Sequence, residues 1–126
     1  MSDQHGNTDH AFLQRQRRRL EELRRQLQRS EDAAAHERSR RANQGREARE
    51  LEEDAQDLAE REIDEAVHRY DDRRLRAVER ALQKIEEGTY GLSDLSGATI
   101  PAARLQAIPE ALLTVEEEAQ AEKRKR

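Results

Sequence analysis

The groups that could carry chemistry in this sequence are four histidines and 28 carboxylates, and there is no cysteine. Without thiols, disulfides and thiolate catalysis are ruled out, and any metal site would have to be built from nitrogen and oxygen. His5, His10, His36 and His68 share no spacing that makes a ligand set on one helical face, so they read as surface residues rather than ligands or bases. The carboxylates crowd onto stretches patterned as solvated helix, where no pocket exists to tune a pKa for proton transfer. Gly88 and Gly91 flank a turn and do not belong to the strand-loop-helix unit that cradles phosphate. These features argue against an enzyme.

Arginine is the other abundant functional group. Arg15, Arg17, Arg18, Arg19, Arg24 and Arg25 crowd one early stretch, several within helical reach of Glu21 or Glu22. Two readings are open: a solvated helix face laced by ion pairs, or a patch for nucleic acid. Charge balance favours the first. The net charge is −4, yet residues 1–49 carry twelve Arg against eight Asp and Glu, and residues 50–126 carry twelve Lys and Arg against twenty, so the halves stand at +4 and −8. Opposite charge on successive segments promotes their pairing, and a paired acidic segment repels phosphate. Direct sequence-specific binding of nucleic acid is not expected.

The elements that must position these groups are helical. With 33% hydrophobic and 41% charged residues, one Phe, two Tyr and no Trp, the 126 residues suffice for one small core of Leu, Ile, Val and Ala plus something elongated. Residues 1–8 are expected to be a disordered tail, with Thr8 or Asp9 capping the first helix. Leu13, Leu20, Leu27 and Ala34 recur every seven residues, with Leu23 beside them and Gln16 and Ser30 diluting the stripe. Gly45, the only glycine between Gly6 and Gly88, predicts a turn near 43–46. From Leu51 through Ala55, Leu58, Ala59, Ile63, Ala66, Val67, Tyr70, Ala77, Val78, Ala81 and Leu82 to Ile85, apolar residues return at threes and fours, the pattern of a second helix. Roughly forty residues of helix rise about 60 Å, and such a rod needs a partner. The cheapest is the first helix folded back antiparallel.

The expected fold is therefore all-α: a long antiparallel hairpin over 9–87, then a small domain over 88–126 that ends in a helix. Gly88 and Gly91 should end the long helix, with Gly97 a further turn residue. Pro101 and Ala102 should open a short helix through Ala107, and Pro109 should sit in the first turn of a last helix through LLTVEEEAQAEKRKR. Leu92, Leu95, Ile100, Leu105, Ile108, Leu112, Leu113 and Val115 are the core candidates. No apolar run approaches the ~20 residues that span a bilayer, so a soluble cytoplasmic chain is expected.

The segment around residues 81–117 resembles the C-terminal part of the DksA/TraR family, the DnaK-suppressor-type regulators. Ala81, Leu82, Lys84, Ile85, Gly88, Thr89, Tyr90, Gly91, Gly97, Ile100, Arg104, Leu105, Ala107, Pro109 and Ala111 fall on that family's pattern with its spacing. The resemblance implies a helical hairpin followed by a zinc-finger-like domain. Where the family has its four zinc-binding cysteines, this chain has Ser93, Ser96, Thr114 and Glu117. Zinc needs four nitrogen, sulfur or carboxylate donors at roughly 2.0–2.3 Å, and neutral hydroxyls are poor replacements for thiolates. The expectation is a metal-free, degenerate domain without a cofactor, in which Leu92, Leu95 and Val115 supply the folding energy of the metal. A poorly ordered remnant is the alternative.

Members of that family insert the hairpin into the secondary channel of bacterial RNA polymerase, some of them together with guanosine tetraphosphate, and carry a D-x-x-D-x-A motif at the tip. Asp54, Asp57 and Ala59 match this motif residue by residue, so the resemblance implies that they form the partner-binding tip. With the turn at Gly45, Asp54 would lie nine residues down the second helix, roughly 13 Å from the apex, as an ordinary solvated residue. A hairpin end spread over 45–58 reconciles the two. The function implied is a zinc-independent transcription regulator of RNA polymerase, active in the stringent response. The alternative is a structural or oligomerising coiled-coil protein, homodimer included, that has lost polymerase binding.

Overall fold

The structure, a computed structural model, describes residues 9–43 and 55–125. Helix α1 spans His10–Asn43, α2 spans Ala55–Glu87, α3 spans Ala102–Ala107 and α4 spans Val115–Arg124. The two long helices pack together as a hairpin, and the described residues contain no strand, only a lone antiparallel bridge between Leu92 and Thr99. Asp9 starts α1 by accepting the Phe12 amide on its Oδ1 at 2.8 Å, which satisfies one of the free amides of the first turn. The expected tail over 1–8, the turn residues after Asn43 and Asp54 lie outside the described residues.

At its other end α2 closes on Gly88, whose φ of 80° is left-handed. A Cβ there would meet nothing within 4 Å, so backbone conformation and not space demands glycine. The Thr89 amide then returns to the Lys84 carbonyl at 2.9 Å and ends the helix.

The described residues fall into two compact units. The first joins residues 9–24 and 76–125. Phe12 and Leu20 of α1, Val78, Ala81 and Ile85 of α2, and Tyr90, Ile100, Leu105 and Ala111 are its buried apolar residues. Each large aliphatic or aromatic among them contributes on the order of 1.5–3 kcal/mol by burial.

Three expectations need correction here. Leu95 and Val115 are 65% and 57% exposed, and Ile108 is exposed as well, so they do not build the core. Pro109 does not open the last helix. Its carbonyl accepts the Tyr90 hydroxyl at 2.8 Å, while the Leu112 and Leu113 carbonyls accept from the Asp94 amide and Arg104 Nε, both at 2.9 Å. Carbonyls pinned to other elements cannot serve a helical ladder, and α4 begins only at Val115. Nor does Gln16 dilute the stripe, being itself 2% exposed. Its Nε2 donates to Tyr90 Oη at 2.9 Å and to the Leu105 carbonyl at 2.8 Å, and its Oε1 accepts from Arg19 at 2.9 Å.

The second unit joins residues 25–43 and 55–75. Leu27 is buried there. Cross-helix pairs run in opposite directions along the two helices, with Glu31 Oε1 3.2 Å from His68 Nδ1 and Arg41 4.0 Å from Asp64. The apolar positions of α2 do not lean on α1 as expected: Ile63 is 63% and Tyr70 56% exposed. Beyond Leu27 the only apolar residues of α1 are alanines, so α1 offers no seam for them.

Replacing Gln16 by Leu leaves the buried Leu105 carbonyl without its donor. Urea unfolding should show a loss of about 1–3 kcal/mol, and unchanged stability would mean that the amide is not holding α1 to the small domain.

Candidate functional site

Ser93 and Ser96 sit in a turn shaped by local bonds. The Ser93 Oγ accepts the amides of Leu95 and Ser96 at 3.0 and 3.2 Å, and the Ser96 Oγ accepts that of Ala98 at 3.2 Å. The Ser93 amide reaches the Ala98 carbonyl at 2.8 Å, and the Gly97 amide returns to the Ser93 carbonyl at 2.9 Å. Opposite this turn stands the N-terminus of α4. Thr114 caps it, with Oγ1 accepting the Glu117 amide at 3.2 Å and Glu117 Oε1 accepting the Thr114 amide at 2.9 Å, the reciprocal arrangement of a capping box.

The Glu117 carboxylate does more than cap. Ser93 Oγ donates to its Oε1 at 2.6 Å, and Ser96 Oγ donates to its Oε2. One carboxylate thus bridges two hydroxyls and a helix cap, joining the turn to the last helix 24 residues later. The bonds from Ser93, Ser96 and Thr114 favour the charged form and bring its pKa down to about 2. The structure therefore brings together Ser93, Ser96, Thr114 and Glu117, the four positions that the resemblance assigns to zinc ligands. Their donor set does not suit zinc: three neutral hydroxyls and one carboxylate already engaged by them leave too few anionic or imidazole donors. Among the described residues no group of three or more His, Asp or Glu side chains is arranged to hold a metal ion.

A second polar cluster supports the same turn. Lys84, 2% exposed, donates Nζ to the Leu92 carbonyl and to Asp94 Oδ1, the latter at 2.7 Å. Arg80 grips both oxygens of Asp94 at 3.0 Å. Arg80 first, then Lys84, pulls the Asp94 carboxyl down to about 2. Tyr90, buried beneath the hairpin base, has its hydroxyl pKa raised chiefly by burial.

Of the expected hairpin-tip residues, Asp57 lies half-buried in the first turn of α2 and Ala59 is exposed two residues on, while Asp54 is outside the described residues. In the same unit a cleft of about 610 Å³ between α1 and α2 is lined mostly by charge, including Glu31, Glu37, Arg41, Asp64, His68 and Asp71. Sequence reasoning missed the Glu117 bridge, although T-x-x-E before a helical run announces a capping box. It also missed Gln16 and Lys84, which carry no local signal of burial.

Glu117 and Asp94 hold carboxyls whose ordinary values are 4.5 and 3.8 well below those values in the folded state. A lowered folded pKa stabilises above the unfolded value and loses that stabilisation as pH falls through the folded one. The melting temperature should thus decline from pH 4.5 towards about 2. Glu117→Gln should lower it at neutral pH and flatten the upper part of this decline, by an amount reduced by solvent screening. An identical melting profile for wild type and variant would refute the bridge.

No family model matches the chain. General stress protein 16O of Bacillus subtilis (strain 168) is 43% identical over 65 residues, 52% of this chain and 40% of that protein. The uncharacterized protein YteA of the same organism is 44% identical over 62 residues, 49% of this chain and 26% of its own length. The match therefore spans less than half the length of either curated relative. Among solved structures, the transcription factor DksA2 from Pseudomonas aeruginosa superposes with a TM-score of 0.71 at 25% identity, covering 93% of this chain and 88% of DksA2. In fold the chain is thus similar to DksA2 over 93% of its length, and it differs in having no cysteine in its sequence.

Proposed function

We propose that this protein is a DksA/TraR-like transcription regulator that acts by contact with bacterial RNA polymerase, independently of zinc, in the cytoplasm. The observation that carries the reading is the likeness to the transcription factor DksA2 over 93% of the chain. The helix hairpin is the element that would enter the secondary channel, with Asp54, Asp57 and Ala59 as its partner-contacting end. Guanosine tetraphosphate would act at the shared interface with polymerase rather than on this chain alone. The absence of thiols supports zinc independence, because the Glu117 bridge occupies the positions a metal would otherwise tie. No described helix is long and apolar enough to cross a membrane.

The test is co-elution with purified core RNA polymerase, run with and without a chelator, alongside transcription from a responsive promoter. Binding indifferent to the chelator is expected. Asp54→Asn together with Asp57→Asn should abolish the transcriptional effect while circular dichroism stays unchanged. A chain with no affinity for polymerase would overturn the reading in favour of a structural coiled-coil protein that keeps the fold.

A further inference from the structure

Helix α2 carries an apolar stripe that the hairpin leaves open. Ala59, Ile63, Ala66 and Tyr70 follow one another at intervals of four, three and four residues, which places them on one helical face, and all four are exposed. Val67, 54% exposed, stands between this stripe and the cleft, which it also lines. The opposite side of α2 is the one turned to α1: Arg61, Asp64, His68 and Asp71 line the charged cleft with Glu31, Glu37 and Arg41. The stripe is thus an exposed face within a unit whose own two helices meet over a cleft lined mostly by charge, with Leu27 the buried apolar residue between them.

Its flanks are charged in a graded way. Glu60 and Glu62 border the N-terminal half of the stripe, and Arg69, Arg73 and Arg74 border the C-terminal half. A second helix of the same sequence laid parallel would set Glu against Glu and Arg against Arg. Laid antiparallel about a two-fold axis near Ala66 and Val67, it sets Glu60 beside Arg74 and Glu62 beside Arg73 of the second copy. Each pair then occurs twice. With the axis between Ala66 and Val67, Ile63 stands level with Tyr70 of the second copy, and the two charged pairs lie within two residues of level. Such a surface complements itself under a two-fold rotation, which is what an isologous dimer requires.

We propose that the outward face of α2, from Ala59 to Arg74, docks a second copy of this chain in antiparallel register. The proposal concerns a surface distinct from the Ser93, Ser96 and Glu117 bridge and does not depend on polymerase binding. The apolar stripe supplies the attraction, and the Glu and Arg flanks select orientation.

The experiment is sedimentation of the full chain across the micromolar range. Wild type should shift from monomer to dimer with concentration. Ile63→Glu combined with Tyr70→Glu should remain monomeric, with helicity and melting temperature of the monomer retained because both side chains are exposed. Glu62→Arg should weaken dimerisation by about tenfold or more, and adding Arg73→Glu in the same chain should restore it, since the reversed flanks again match. Wild type that stays monomeric at every concentration overturns the proposal. So does a dimer indifferent to the stripe variant. Loss of polymerase co-elution by the stripe variant, with wild type monomeric throughout, would assign the face to polymerase and likewise overturn it.

Discussion

The Gln16 amide is the interaction on which the compact unit depends. A chain with 41% charged residues and one Phe has little apolar mass with which to fasten a small domain to two helices. Gln16 joins them through directional bonds, from α1 to Tyr90 after α2 and to the Leu105 carbonyl of α3. Tyr90 passes the connection on to Pro109. Every hydrogen-bonding group in this small network has a partner, and a fully satisfied buried network specifies one arrangement, where an apolar contact of equal size would tolerate several. The surrounding core, with Leu20, Val78, Ile100 and Leu105 inaccessible, supplies most of the free energy. The amide decides where the pieces sit.

The Glu117 bridge solves a related problem at the far side of the same unit. A turn and a helix N-terminus separated by more than twenty residues are closed upon each other in a chain that has no cysteine for a disulfide or a thiolate site. A carboxylate suits this position for three reasons. It accepts several bonds at once, the helix N-terminus favours its charge, and its capping role costs no additional residue. The substitution of chemistry also changes the conditions under which the unit holds. A thiolate site would depend on metal supply and redox state, whereas the stabilisation from a carboxylate with a lowered pKa is lost as pH falls through that value.

Much of this was legible in the sequence, and the misses share a cause. The long helices, the short α3 over Ala102–Ala107 and the glycine at the end of α2 follow from local rules of periodicity and backbone freedom. Pro109 is a good first-turn residue and local rules open α4 there, yet tertiary bonds from Tyr90, Asp94 and Arg104 claim the carbonyls that a helix would need. Leu95 and Val115 look like core by type, but the task expected of them had passed to Glu117. Gln16 and Lys84 look like surface by type and are buried, because burial of a polar side chain is set by partners 74 and 8 residues away. Composition and period cannot report such partners.

Helix α2 shows how one periodic pattern serves two ends. Its apolar positions continue from Ala59, Ile63, Ala66 and Tyr70 through Ala77 to Ala81 and Ile85 at helical spacing, so a single stripe runs the length of the helix. Ala81 and Ile85 are covered by the small domain's unit, and Ile63 and Tyr70 are not covered. In the second unit the helices meet mainly through ion pairs at exposed or half-exposed positions, such as Arg41 with Asp64, and each such pair is worth only about 0–1 kcal/mol. Local stability must therefore fall along α2 from Ile85 towards Ala55. A segment of low local stability with an idle apolar face gains most from association, because binding of the folded form draws the whole local equilibrium towards helix. The Gln16 and Glu117 unit, by contrast, is fastened by hydrogen bonds of its own.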